Sequence, residues 1–209
     1  MSAGVPFAAW AMAIFMCPTI RGQTPRGERD YHSRMDVKSL HHVAYRCKDA
    51  KTTADFYTKA LGLEYAMAVA EDRVPSTGEQ SPYMHIFFRM DDGSYVAFFE
   101  LPDSPEMGRD EKTPLWVQHL ALRVADEETL MRRKQHLESM GIEVLGPVDH
   151  TICKSIYFFD PNGHRLELAW DTTTPAMKKQ LSEVSGAMME EWTKTKKAPH
   201  HADWVHKKN

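Results

Sequence analysis

Apolar and polar residues alternate along several short stretches of the chain, and apolar residues spaced three and four apart fill the stretches between them. Alternation predicts strands, and the longer spacing predicts helices. The first half of the chain is therefore predicted to form a strand, a helix and three more strands, over residues 39–47, 50–61, 63–70, 82–90 and 95–101. Asp49 is placed to cap the helix and Gly62 to end it.

The second half of the chain repeats this order. The pattern predicts a strand, a helix and three strands over residues 116–124, 126–140, 142–145, 155–159 and 165–170. These two modules, 38–101 and 115–170, make up a domain over 38–170, and a charged linker with prolines (102–114) joins them. Residues 171–209 are predicted to form a helix and a polar tail. Apolar residues of that helix fall on one packing face.

The first 34 residues lie outside this pattern. Residues 7–17 are an apolar run of 11 residues, which is too short to span a bilayer. No basic residue precedes the run, as an export signal would require. We expect residues 1–34 to be an accessory or disordered arm, or an extension upstream of the true start at Met35. A cleaved export signal is the alternative.

Composition limits the classes of function. The formal net charge of −3 over 209 residues is too small to indicate a nucleic-acid partner. The three cysteines are an odd number without CxxC spacing, which fits a reducing cytoplasm better than a disulfide framework. We expect a cytoplasmic protein that binds neither membrane nor nucleic acid, with a homodimer as one expected assembly.

A duplicated segment carries the candidate chemistry. The sequence LHHVAYRCKD around His42 returns as VQHLALRVAD around His119, so these two histidines are equivalent in the repeat. Glu167 stands in the last strand of the second module between two leucines. A carboxylate buried there would be costly without a cation. The three residues therefore predict one metal site, although satisfied core histidines and a solvent-facing glutamate would be the simpler interpretation of each residue alone.

These segments, together with Asp55-Phe56-Tyr57, Leu61-Gly62-Leu63 and Asp160-Pro161-Asn162-Gly163, resemble the vicinal oxygen chelate superfamily. That group includes glyoxalase I, fosfomycin-resistance enzymes and type I extradiol dioxygenases. The resemblance implies an α+β fold in which two βαβββ modules form one curled mixed sheet around a shared metal site, followed by a C-terminal helix. It covers residues 38–170.

The resemblance also indicates which reaction to expect. In glyoxalase-like members the last strand of the first module supplies another ligand, and the alignment places Ala97 at that position. A shifted alignment would place Glu100 there instead. With Ala97, the ligands are two histidines and one carboxylate, which favours Fe(II) with open positions. Mn(II), Zn(II), Ni(II) and Co(II) are the alternatives.

Two more residues resemble the extradiol family. His150 and Tyr157 match a histidine and a tyrosine that contact substrate there, so we expect them to be catalytic. The match is incomplete, because Ser94 stands where those enzymes often carry another histidine, and nothing in the sequence shows that His85 replaces it. The favoured function is extradiol cleavage of a catechol-like aromatic by dioxygen. A glyoxalase-type lyase or isomerase, or a small-ligand-binding protein, is the alternative.

Overall fold

The computed structural model of the protein describes residues 37–108 and 110–205. From Ser39 onward the chain forms one compact unit, and the predictions for residues 1–34 lie outside the described residues. The first module contains β1 (His42–Cys47), α1 (Ala50–Lys59), β2 (Glu64–Arg73), β3 (Gln80–Arg89) and β4 (Tyr95–Glu100). The second contains β5 (Leu120–Arg123), α2 (Glu127–Ser139), β6 (Leu145–Asp149), β7 (Cys153–Phe159) and β8 (Arg165–Asp171). The C-terminal helix α3 spans Pro175–Thr195.

Aspartates cap both module helices: Asp49, as predicted, and Asp126, the first residue of the predicted range 126–140. Asp49 Oδ1 accepts a hydrogen bond from the Thr52 N–H at 2.6 Å, and Asp126 Oδ1 accepts one from the Thr129 N–H at 2.7 Å. Caps of this kind each stabilise a helix by about 1 kcal/mol. Gly62 follows α1 with φ +70°, a left-handed conformation that side chains disfavour. The chain can therefore reverse there and enter β2.

Each module forms its own four-stranded sheet, with the strand orders β1-β4-β3-β2 and β5-β8-β7-β6. The pairs β1–β4 and β5–β8 are parallel, and the remaining pairs are antiparallel. The α+β class, the two βαβββ modules and the C-terminal helix are confirmed. The sequence predicts one curled sheet, whereas the described strands form two, because β1 and β5 are edge strands that each pair only within their own module.

The position of β6 differs from the prediction. The sequence pattern predicts a strand over 142–145, whereas β6 begins at Leu145 and continues through Pro147. Its pairing with β7 shifts register between Leu145 and Val148. An edge strand tolerates a proline because the outer side of the strand needs no N–H donor. The proline therefore marks a bulge within the strand, and not its end.

The apolar core lies between each sheet and its helix. In the first module, the Tyr57 ring of α1 packs on Phe88 and Phe98, with ring centroids 5.2 and 4.7 Å away. In the second, Leu130 and Leu137 of α2 are fully buried. The core side chains of both sheets join one cluster. Because side chains alternate along a strand, the residues between these core positions point to the opposite face of each sheet.

A polar clamp joins the two modules. The turn between β7 and β8 places Asp160 and Asn162 against α1, and both side chains are buried. Tyr57 donates a hydrogen bond to Asp160 Oδ2 at 3.2 Å, and the Lys48 N–H donates one to Asn162 Oδ1 at 2.9 Å. The Asn162 amide in turn donates to Thr53 Oγ1 at 3.2 Å and to Asp160 Oδ2 at 2.9 Å. These hydrogen bonds hold α1 of the first module against the β7–β8 turn of the second.

The C-terminal segment is partly as predicted. The apolar stripe of α3 is half-buried from Met177 to Met188, and no side chain of the helix is fully buried. The sequence predicts a solvated tail after the helix, whereas Ala202 and Val205 are buried. Among the described residues, no helix is long and apolar enough to cross a membrane.

Candidate metal centre

Glu167 lies on the sheet face opposite the core of the second module. Its neighbours Leu166 and Leu168 point into the core, so alternation turns Glu167 the other way, although it is only 5% exposed. It pairs with Ala121 on β5 and Tyr157 on β7. The carboxylate is therefore held at the centre of the sheet with a small residue on one side and a phenol on the other.

His119 brings an imidazole to this carboxylate. The residue directly precedes β5, and its Nε2 lies 2.9 Å from Glu167 Oε2. Its Nδ1 lies 3.1 Å from the Val117 carbonyl oxygen. A carbonyl can only accept, so Nδ1 carries a proton. If the ring is neutral, Nε2 carries a lone pair that faces the carboxylate oxygen. Because both atoms are then acceptors, they need either a proton shared between them or a cation.

The geometry fits a cation. Two donor atoms that bind one ion in adjacent positions at ~2.1 Å are roughly 3 Å apart, close to the observed contact. A histidine that donates its other N–H to a backbone carbonyl is also the usual arrangement of a metal-bound imidazole. The structure thus brings two of the three predicted ligands, His119 and Glu167, together.

His150 and Tyr157 form a pair beside these two residues. His150 Nε2 lies 2.8 Å from the Tyr157 hydroxyl. Burial raises the pKa of Tyr157, and the negative charge of Glu167 raises the pKa further. Tyr157 therefore keeps its proton at neutral pH, and its hydroxyl also forms a hydrogen bond with the Glu167 carboxylate, which can only accept. The Arg165 guanidinium lies 4.3 Å from the centre of the Tyr157 ring.

The C-terminal segment supports the loop that carries His150. Thr151 has a φ of +69°, and its hydroxyl donates to the Val205 carbonyl. Thr172 donates a second bond to the Thr151 carbonyl at 2.8 Å. Sequence reasoning missed this support, because the segment after α3 has the composition of a solvated tail.

His42 lies on the corresponding face of the first sheet and is exposed. Its ring centre is 5.8 Å from that of Phe87 and 6.2 Å from that of His85. Its Nδ1 lies 2.7 Å from Nδ1 of His41. Among the residues described in one chain, no three His, Cys, Asp or Glu side chains are placed to hold one ion. One chain therefore does not bring His42 into a common site with His119 and Glu167.

The choice between Ala97 and Glu100 is clear in the structure. Ala97 pairs with Ala44 and Phe87, on the face of His42. Glu100 points to the helical side, where its Oε2 accepts a hydrogen bond from the Ala50 N–H at 2.6 Å. Glu100 therefore accepts a hydrogen bond from the first turn of α1 and does not face the candidate metal centre. The first module thus presents no carboxylate at the position that Glu167 occupies in the second.

His85 is the residue of this face that the sequence left without a role. It is 9% exposed, and burial lowers its pKa, so the ring is neutral. Its Nδ1 lies 3.1 Å from the Phe98 carbonyl oxygen. The sequence did hold a signal for this placement. His85 lies two residues before Phe87 on β3, so alternation along the strand puts both side chains on the sheet face that carries His42.

A cavity of about 710 Å³ opens next to the second-module residues. The end of the linker and the β7–β8 turn form its walls, which include Gln118, His119 and Arg165 but not Glu167 or Tyr157. His119 thus borders both this cavity and the candidate metal centre.

The model of the Glyoxalase/Bleomycin resistance protein/Dioxygenase superfamily matches residues 39–168, and the chain belongs to this superfamily. The uncharacterized protein YwkD of Bacillus subtilis is 31% identical over 141 residues, 64% of this chain and 98% of that protein. The metallothiol transferase FosB of Staphylococcus epidermidis is 26% identical over 146 residues, 69% of this chain and 89% of that protein.

A solved structure is also similar to this chain. The fosfomycin resistance protein FosX of Listeria monocytogenes, complexed with Mn(II) and sulfate, is 21% identical, with a TM-score of 0.46 over 65% of this chain and 94% of that one. The match of the family model thus confirms the predicted superfamily. A particular closeness to extradiol dioxygenases is not shown.

Proposed function

We propose that this protein is a divalent-metal-dependent enzyme of the glyoxalase type, a lyase, isomerase or transferase for a small substrate with two neighbouring oxygen atoms. His42, His119 and Glu167 are the proposed ligands. The 2.9 Å contact between His119 Nε2 and Glu167 Oε2 is the observation that carries this proposal. The FosB relative, a metallothiol transferase, supports the same class.

The third ligand is proposed to come from a second copy of the chain. The open faces of both sheets carry large exposed apolar side chains, with exposures of 41–62% at Met67, Val69, Leu145 and Phe159. Exposed apolar patches of this kind indicate an association surface. A symmetric dimer that packs the first sheet of one copy on the second sheet of the other would bring His42 to His119 and Glu167 twice.

A divalent ion held by these residues would polarise a substrate oxygen as a Lewis acid. Mn(II), Zn(II), Ni(II), Co(II) and Fe(II) all suit nitrogen and oxygen donors of this kind. The buried position of Glu167 excludes water from one side of the site. Burial and, after it, the charge of Glu167 raise the pKa of the neighbouring Tyr157.

His150 and Tyr157 are the proposed proton-handling pair. The Tyr157 hydroxyl and His150 Nε2 form a hydrogen bond with each other in the resting state, so a substrate hydroxyl can replace either partner. His150 can then accept a proton at Nε2, while Tyr157 orients a substrate oxygen with its O–H. A positioned acid or base of this kind typically contributes ~10²–10⁴-fold in rate.

Ring cleavage stays as a second candidate, because the face of His42 presents Ala97 where a fourth ligand would stand. Two histidines and one carboxylate with open positions suit Fe(II) and dioxygen. The substrate would then be a catechol-like aromatic. Oxygen uptake separates this candidate from the glyoxalase-type reactions, which consume no oxygen.

The test begins with the metal content of protein purified without chelators and without oxygen. The proposal expects one divalent ion per chain, lost in both His119→Ala and Glu167→Ala. The loaded protein is then assayed with methylglyoxal plus thiols, with fosfomycin plus thiols, and with catechols under air. Turnover in the thiol assays supports the main proposal, and oxygen uptake supports ring cleavage. Wild-type protein that binds no divalent ion would refute both.

A further inference from the structure

We propose that His85 is a fourth protein ligand of the metal site, on the side of His42. This inference rests on the proposed function, and it adds a donor from β3 to the three residues already assigned. The site would then have three imidazoles and one carboxylate. His42 and His85 would come from one copy, and His119 and Glu167 from the other.

The hydrogen bond of the His85 ring is the first observation. The Phe98 carbonyl accepts at 3.1 Å from Nδ1, so Nδ1 carries the proton and Nε2 keeps a lone pair. His119 has the same arrangement, with the Val117 carbonyl at 3.1 Å. A backbone carbonyl on one ring nitrogen is the usual support of an imidazole that binds metal through the other.

The position of His85 is the second observation. Its ring centre is 6.2 Å from that of His42. Two imidazoles on one tetrahedral ion, each bound at ~2.1 Å, have ring centres roughly 5.3 Å apart, so the two rings lie about 1 Å farther apart than such a site needs. Both rings lie on the same sheet face, and Ala97 between them is too small to fill the space. A movement of about 1 Å by the exposed His42 ring would therefore let one ion bind both rings.

The packing of His85 is the third observation. Its ring stacks on Phe99, with centroids 3.6 Å apart and planes 7° from parallel, and it touches Phe87 at 4.0 Å. Two aromatic neighbours restrict the ring to one orientation. A phenylalanine would pack equally well at this position without the cost of burying a polar ring, so packing alone does not explain a histidine there. Among the described residues, none forms a hydrogen bond with His85 Nε2, so this atom is available to an ion.

The test compares His85→Phe with His136→Phe by titration with Co(II). His136 is the matched control, because its ring also bonds a backbone carbonyl, that of Lys59 at 2.9 Å, but on α2 away from the site. We expect His85→Phe to weaken Co(II) binding by roughly 10–100-fold and to change the visible Co(II) spectrum. His136→Phe should bind Co(II) as the wild type does.

A second measurement needs no substitution. X-ray absorption of the Zn(II)-loaded wild-type protein counts the imidazoles on the ion, and three are expected. A count of two, or unchanged Co(II) affinity and spectrum in His85→Phe, would overturn the role of His85 and leave the proposed function standing. Wild-type protein that binds neither ion would overturn both.

Discussion

Substitution of Asn162 by alanine tests the clamp that joins the modules. The side chain is buried and makes three strong hydrogen bonds: with the Lys48 N–H, Thr53 Oγ1 and Asp160 Oδ2. A neutral bond contributes about 1 kcal/mol and a bond to a charged group about 1.5–3 kcal/mol. The loss should therefore be roughly 3–5 kcal/mol of unfolding free energy.

The assay is urea unfolding followed by tryptophan fluorescence at one fixed protein concentration, because self-association alters apparent stability. For a domain of this size, the expected loss lowers the melting temperature by about 10 °C. Thr53→Val is the matched control: it removes one of the three partners of Asn162 and the bond from the Thr53 hydroxyl to the Asp49 carbonyl, and it should cost about 1–2 kcal/mol. A loss below about 1 kcal/mol in Asn162→Ala would refute the clamp.

Four further predictions concern the site and the chain around it. Glu167→Gln keeps the shape of the side chain but removes its charge, so divalent-metal affinity should fall by roughly 100-fold or more; isothermal titration with Mn(II) measures this. His150→Ala should lower kcat by ~10²–10⁴-fold with metal content intact, and Tyr157→Phe should lower it less, because the ring stays in place and only the hydroxyl is lost. Burial raises the pKa of Cys47 to about 11, so iodoacetamide at pH 8 should leave Cys47 unmodified in the native protein, as peptide mass spectrometry will show. A chain that begins at Met35 should fold and bind metal like the full chain, since the arm lies outside both modules.

Each of these predictions can fail clearly. Unchanged Mn(II) affinity in Glu167→Gln would remove that residue from the ligand set. Wild-type turnover in both His150→Ala and Tyr157→Phe would remove the proton-handling pair. Rapid native labelling of Cys47 would contradict its burial, and loss of metal from the shortened chain would make the arm part of the site.

Much of the fold was predictable because its signals are local. The caps at Asp49 and Asp126 are defined by a few consecutive residues, and the alternation that places Glu167 opposite two core leucines needs only the strand itself. The repeat around His42 and His119 identified equivalent positions without knowledge of packing.

The parts that sequence reasoning missed depend on contacts between distant segments. The continuation of β6 through Pro147 depends on its being an edge strand. The burial of Val205 depends on the loop that carries Thr151. The proposed ligands are divided between the two sheets, with His42 apart from His119. This division depends on how the modules pack, which cannot be predicted from the sequence of a single strand.

The most direct test of the account mixes two variants, His42→Ala and Glu167→Ala, each unable to form a complete site. If each site takes His42 from one copy and Glu167 from the other, subunit exchange produces mixed dimers with one intact site. Random pairing then restores tight metal binding at about one site in four. Restored Mn(II) binding at about that level in the mixture, with none in either variant alone, is the predicted result. No restored binding in a mixture shown to have exchanged subunits would contradict a metal site shared between two copies.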